Sequence, residues 1–112
     1  MSSNSPEKRL DDILVQIARI ESHVENVTHE QFLDDPLVYD AVERCLERIC
    51  EAARKIGPML DEKYPEVEFK QLRDFGSVLR HDYNAVLPDR VWLAVTDRLP
   101  LLKAACRAEL GL

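Results

Sequence analysis

The chain has 112 residues, 46% of them hydrophobic and 32% charged, with a formal net charge of −6. That length suits one domain with one real core, and the balance is that of a soluble globular protein, not a disordered one. The excess of 21 Asp and Glu over 15 Lys and Arg argues against coating nucleic acid through bulk charge, and leaves room only for a small basic site.

Only three glycines occur, and β-branched residues are scattered without alternation, which favours helix throughout. No apolar run approaches ~18 residues, so no transmembrane helix is expected. The opening MSSNSPEKRLDD has no signal-peptide pattern, and a cytoplasmic protein is expected. Cys45, Cys50 and Cys106 are odd in number and form no CxxC. With no histidine at ligand spacing to them, they read as buried free thiols and not as zinc ligands. No metal and no cofactor are expected.

In chain order, residues 1–4 are expected to be loose. Ser5 is a good N-cap, Pro6 fits the first helical position and Glu7 suits the positive end of the dipole. A helix to about Asn26 follows, with Leu10, Ile13, Leu14, Ile17, Ile20, Val24 and Val27 as its stripe. His23 lies on the margin. Thr28 and Gln31 form a capping-box pattern before a short turn carrying Phe32 and Leu33, with His29 exposed beside Glu30. Asp34 or Asp35 then caps a long helix from Pro36 to about Ile56. Its apolar face, from Leu37 to Ile56, is wider than one seam, which makes it the central element. Glu43, Glu47 and Glu51 read as a solvated ladder with arginine partners. Gly57 and Pro58 end this helix. Residues 59–65 form a connector with one helical turn at most. The last helix runs from about Pro88 to Leu110, kinked at Pro100 or broken there with a restart at Leu101. The sum is an all-α, four-helix-type bundle with short extra turns, one domain over residues 1–112.

Residues 69–83, FKQLRDFGSVLRHDY, stand apart. Phe69, Leu72, Phe75 and Leu79 are spaced as a helical stripe, so the polar residues lie off it. Asp82, Asn84 and Pro88 end the helix between His81 and Asn84. Arg73, Arg80, His81 and Tyr83 therefore gather on its last turns and just beyond. A histidine exchanges protons near neutral pH, an arginine fork fits phosphate oxygens, and a tyrosine donates a hydrogen bond or stacks on a base. Arg73 and His81, eight apart, are ~80° apart around the axis and ~12 Å along it. That is too far for contact within one copy, but a two-fold dimer would bring one copy's arginine toward the other's histidine. From Lys70 to Arg90 there are four Lys/Arg and three Asp, less acidic than the rest.

Several pieces in order carry a family resemblance over nearly the whole chain: Asp12-Ile13-Leu14, Phe32-Leu33-Asp34-Asp35, Glu51-Ala52-Ala53, Lys63-Tyr64-Pro65-Glu66, His81-Asp82-Tyr83, Val91-Trp92 and Arg98-Leu99-Pro100. The chain resembles the HepT-like toxin family of the HEPN superfamily. The resemblance implies a HEPN-like helical bundle that forms a homodimer and acts as the toxin of a toxin–antitoxin pair. The implied activity is metal-independent cleavage of RNA through an R-x(4–6)-H-x-Y motif. The implied partner is a minimal nucleotidyltransferase antitoxin, which transfers AMP to the motif's tyrosine, here Tyr83.

The motif's arginine would fall at positions 74–76, which hold Asp74, Phe75 and Gly76. Arg73, with seven residues intervening, or Arg80, beside His81, takes the role, or the chain binds without cutting. The site residues are thus His81, Arg80, Arg73 and Tyr83, with Lys70, Ser77, Asn84 and Arg90 as candidate RNA contacts. The alternative is a non-catalytic HEPN module that binds a nucleotidyltransferase or nucleotide.

Overall fold

A computed structural model describes residues 5–81 and 87–112. Helix α1 (Pro6–Val24) starts as its cap dictates, with Ser5 Oγ accepting the Lys8 N–H at 3.1 Å. It stops short of the expected Asn26, which takes a left-handed φ of +62°, a conformation asparagine tolerates better than most. The capping box of α2 (His29–Asp34) is complete. The Gln31 N–H donates to Thr28 Oγ1 at 3.1 Å, and the Thr28 N–H to Gln31 Oε1 at 2.9 Å. Asp35 then caps α3 (Pro36–Ile56), its Oδ1 accepting from Leu37 N and Val38 N. Gly57 ends α3 at φ +75° and donates back to the Ala53 and Arg54 carbonyls, the left-handed stop that glycine adopts without a Cβ clash.

The wide apolar face of α3 does what its width implies. Val42, Cys45, Leu46, Ile49, Cys50, Ala52 and Ala53 are all buried, because α1 packs on one side and α4 on another. From α1, Leu10, Ile13, Ile17 and Ile20 complete this seam, each fully buried aliphatic chain contributing ~1.5–3 kcal/mol. The three cysteines are buried and unpaired. Burial pushes the Cys45 thiol up and those of Cys50 and Cys106 up to about 12, so they behave as small apolar side chains.

Two 3₁₀ turns, Gly57–Leu60 and Pro65–Val67, form the connector, one more than expected. Glu68, at φ +57°, turns the chain into α4 (Phe69–His81). After it come α5 (Leu87–Leu93), a π-helical turn (Ala94–Arg98) and α6 (Leu99–Glu109). The expected break at Pro100 is therefore real but lies earlier, and the restart is at Leu99, not Leu101. Pro100 has no N–H to give and crowds the carbonyl four residues back, so the ladder widens ahead of it. The four main rods are α1, α3, α4 and α5–α6, an all-α bundle without strands among the described residues. No described helix is long and apolar enough to cross a membrane.

Candidate functional site

The position of α4 is set by a glycine. A Cβ built on Gly76 would lie 2.9 Å from Cys50 Cβ, closer than two such carbons approach, so α3 and α4 cross almost backbone to backbone here. One turn later comes Arg80, then His81, the last residue of α4. Both are exposed. Among the described residues, the Arg80 guanidinium makes one hydrogen bond, a long one, Nη2 to Ser77 Oγ at 3.4 Å. It reaches over α3 beside Glu51. The Glu51 carboxyl is held below its ordinary range, first by its hydrogen bond from Arg54, with Lys55 and Arg80 adding smaller attractions. Of the glutamate ladder, Glu47 and Glu51 have arginine partners as read, whereas Glu43 accepts from the Tyr39 hydroxyl at 2.8 Å, and Glu51 borders the site.

Arg80 also closes one end of a groove of about 540 Å³ between α1 and α3. Six Lys/Arg and four Asp/Glu line it, a local positive excess in a chain of net charge −6.

Arg73 is differently placed. Its Nη1 and Nη2 meet Asp61 Oδ1 and Oδ2 at 2.9 and 2.7 Å, and Nη1 also donates to the Gly57 carbonyl at 3.2 Å. Its side chain is 18% exposed. The Arg73 fork holds the Asp61 carboxyl below its usual range. The end-on edge of the guanidinium, both Nη atoms, is taken up by the connector.

Among the other predicted contacts, Ser77 is exposed on the Arg80 turn, and Lys70, near the start of α4, pairs with Asp74 at 2.9 Å. Arg90 of α5 lies over the Phe75 ring, 5.2 Å from its centroid. Tyr83 and Asn84 lie outside the described residues. The structure therefore brings Ser77, Arg80 and His81 together and sets Arg73 and Lys70 toward the other end of α4. Asp61 was not foreseen, since nothing in a connector signals a partner 12 residues away. His29 is half exposed but not idle. Its ring stacks on Trp92 at 5.4 Å with 4° between planes, and Nε2 is 2.9 Å from Asp89 Oδ1. No described cluster of three His, Cys, Asp or Glu is placed to hold a metal.

With this geometry stand the relatives. The family described as ribonuclease HepT-like matches residues 13–109. The chain belongs to that family. It is 36% identical over 94 residues to "Putative RNase MJ1216" of Methanocaldococcus jannaschii, covering 84% of this chain and 78% of that one. It is 32% identical over 94 residues to "Probable ribonuclease HepT" of Thermococcus cleftensis, covering 84% and 86%. A third relative, "Putative RNase MJ1380" of M. jannaschii, is 28% identical over 103 residues, covering 92% and 94%. No solved structure matches. Ribonuclease activity is thus the character of the family to which this HepT-like chain belongs.

Proposed function

We propose that this HepT-like chain is a metal-independent endoribonuclease, the toxin of a toxin–antitoxin pair, with His81 and Arg80 as its reacting side chains. The observation that carries this reading is the exposed last turn of α4. It presents an uncommitted arginine beside a histidine, whereas Arg73 is spent on Asp61. His81 takes the proton of an RNA 2′-hydroxyl as its oxygen bonds to the adjacent phosphorus. Arg80 donates to the non-bridging oxygens, where charge builds. The bond from phosphorus to the 5′-oxygen breaks, and that oxygen takes up a proton from water. The products are a 2′,3′-cyclic phosphate and a 5′-hydroxyl. Tyr83 positions the nucleotide by its hydroxyl or by stacking. Ser77, on the Arg80 turn, holds the strand, with Asn84 as a further contact.

Adjacent helical residues point ~100° apart, so Arg80 and His81 of one copy diverge. A homodimer with α4 near its two-fold axis places one copy's arginine against the other's histidine. The antitoxin in this reading is a minimal nucleotidyltransferase acting in the cytoplasm, and AMP on Tyr83 silences the toxin. A second reading draws on one observation, the commitment of Arg73. With no arginine at motif spacing and Arg73 tied to Asp61, the chain binds its nucleotidyltransferase partner or a nucleotide without cutting.

The test is incubation of total RNA and tRNA with purified protein in EDTA, beside His81→Ala, after intact mass shows no AMP attached. Cleavage by the parent and none by the mutant is expected. Intact RNA with both proteins overturns the enzyme and leaves the binding module.

A further inference from the structure

We propose that the cleft between α4 and the π turn binds a small planar ring carrying an anionic group. The proposal stands apart from the ribonuclease reading, since the cleft faces away from His81. Leu72 and His81 are nine residues apart, ~180° around α4.

The cleft encloses about 250 Å³, at or just below the lower end of small-ligand sites, so its occupant is a small molecule and not a polymer. Its apolar walls come from the stripe of α4. Phe69 and Leu79 of that stripe are buried, at 3% and 5% exposure, but Leu72 and Phe75 are only half-buried and line the cleft. Facing them are Leu102 of α6 and Leu93 of α5, the latter 55% exposed although apolar. The apolar surface is incompletely covered because the π turn supplies Ala94 at the place where a longer side chain would have filled the space. Widened turns of this kind recur at binding sites.

Charge decides the rest of the ligand. Arg98 at one side is ion-paired with Glu68. Arg90 at the other has its guanidinium over the Phe75 ring, and none of the described carboxylates pairs with it. Gln71 adds an exposed neutral amide at the mouth. An apolar floor, one arginine without a carboxylate and one amide match a flat ring with an acidic substituent. Arg90, itself exposed, repels a cation and offers an anion a charge-assisted hydrogen bond. The α1–α3 groove differs, being about twice as large and lined mainly by charged side chains of both signs. A nucleoside monophosphate and a free aromatic acid both have the required chemistry. Either would touch α4 and α5.

The probe is anilinonaphthalene sulfonate, titrated into the full chain by fluorescence. One saturable site is expected. Gln71→Trp should plug the mouth and remove binding, and Arg90→Met should weaken it about tenfold or more by deleting a charge-assisted hydrogen bond. Leu37→Ser, altering a side chain that is 83% exposed and outside the cleft, should leave affinity unchanged. Thermal melts establish that each variant folds, and if one does not, the other decides. Displacement by adenosine monophosphate alone assigns the nucleotide source, by an indole carboxylate alone the free acid, and by both the shared chemistry. Binding that survives both cleft variants, or that neither competitor displaces at millimolar concentration, overturns the site.

Discussion

Arg73 and Arg80 sit on one helix, seven residues apart and nearly on one side of it, yet they face different neighbours. Arg73 meets a carboxylate, a backbone carbonyl and a half-closed connector. Arg80 meets a serine at 3.4 Å and an open groove. A guanidinium has five donors in a fixed fork, and a bidentate carboxylate consumes the edge that a phosphate would use. The same side chain is therefore a structural tie at one end of α4 and an available anion-binding group at the other. Spacing along a sequence cannot distinguish them; the partner does.

The sharpest way to break this comparison is to remove each arginine in turn. Arg80→Ala should lower RNA cleavage by about 10²–10³-fold, the usual cost of one donor to a developing anion, and leave the melting temperature near the parent's. Arg73→Met should do the reverse, lowering the melting temperature while cleavage per folded molecule is kept. If Arg73→Met abolishes cleavage in fully folded protein, the assignment of roles is wrong.

A smaller effect should follow from the crossing that positions the site. Gly76→Ala gains up to ~1 kcal/mol of helix propensity, but its methyl must displace Cys50 Cβ at 2.9 Å. Overpacking of this kind costs ~1–3 kcal/mol, so denaturant melts should show net destabilisation. Cleavage should fall as well, because α4 carries Arg80 and His81 away from α3. Combining it with Cys50→Gly frees the space, and the double-mutant cycle should give a favourable coupling. Simple additivity would mean that the crossing is not tight.

Much of this was written in local pattern. The caps at Ser5, Thr28 and Asp35, the stop at Gly57 and the breadth of α3 act within four residues of themselves, and periodicity reports them directly. What escaped was tertiary. The tie between Arg73 and Asp61 spans a connector with no period, and His29 on Trp92 and Asp89 joins positions 60 residues apart. The break in the last helix was foreseen at Pro100 but not its form, because proline states which hydrogen bond is lost and not how the preceding turn adapts. In the site, the start and apolar stripe of α4 could be read in advance. The choice between two arginines could not, since neither stands at the motif's spacing.

The least of the expected effects, and the most specific, concerns acid. Asp61 is held below its ordinary value of 3.8 by the Arg73 fork. A carboxyl whose native pKa is depressed contributes stability that is fully present above its unfolded value. That contribution is lost as pH falls through the lower native value. Asp61→Asn removes the titration but not the side chain's shape. Urea midpoints measured from about pH 5 to pH 2 should then fall less steeply in the variant, the two curves approaching each other at the acid end. Glu51 and Glu109 are also held low by basic partners, so the parent's acid limb is shared among several groups, and only the difference between the curves belongs to Asp61. Arg73→Met should give the same difference curve, because either change dissolves one pair. Parallel curves would mean that the fork is not closed in solution. Arg73 would then be as available as Arg80, and the distinction between the two ends of α4 would collapse.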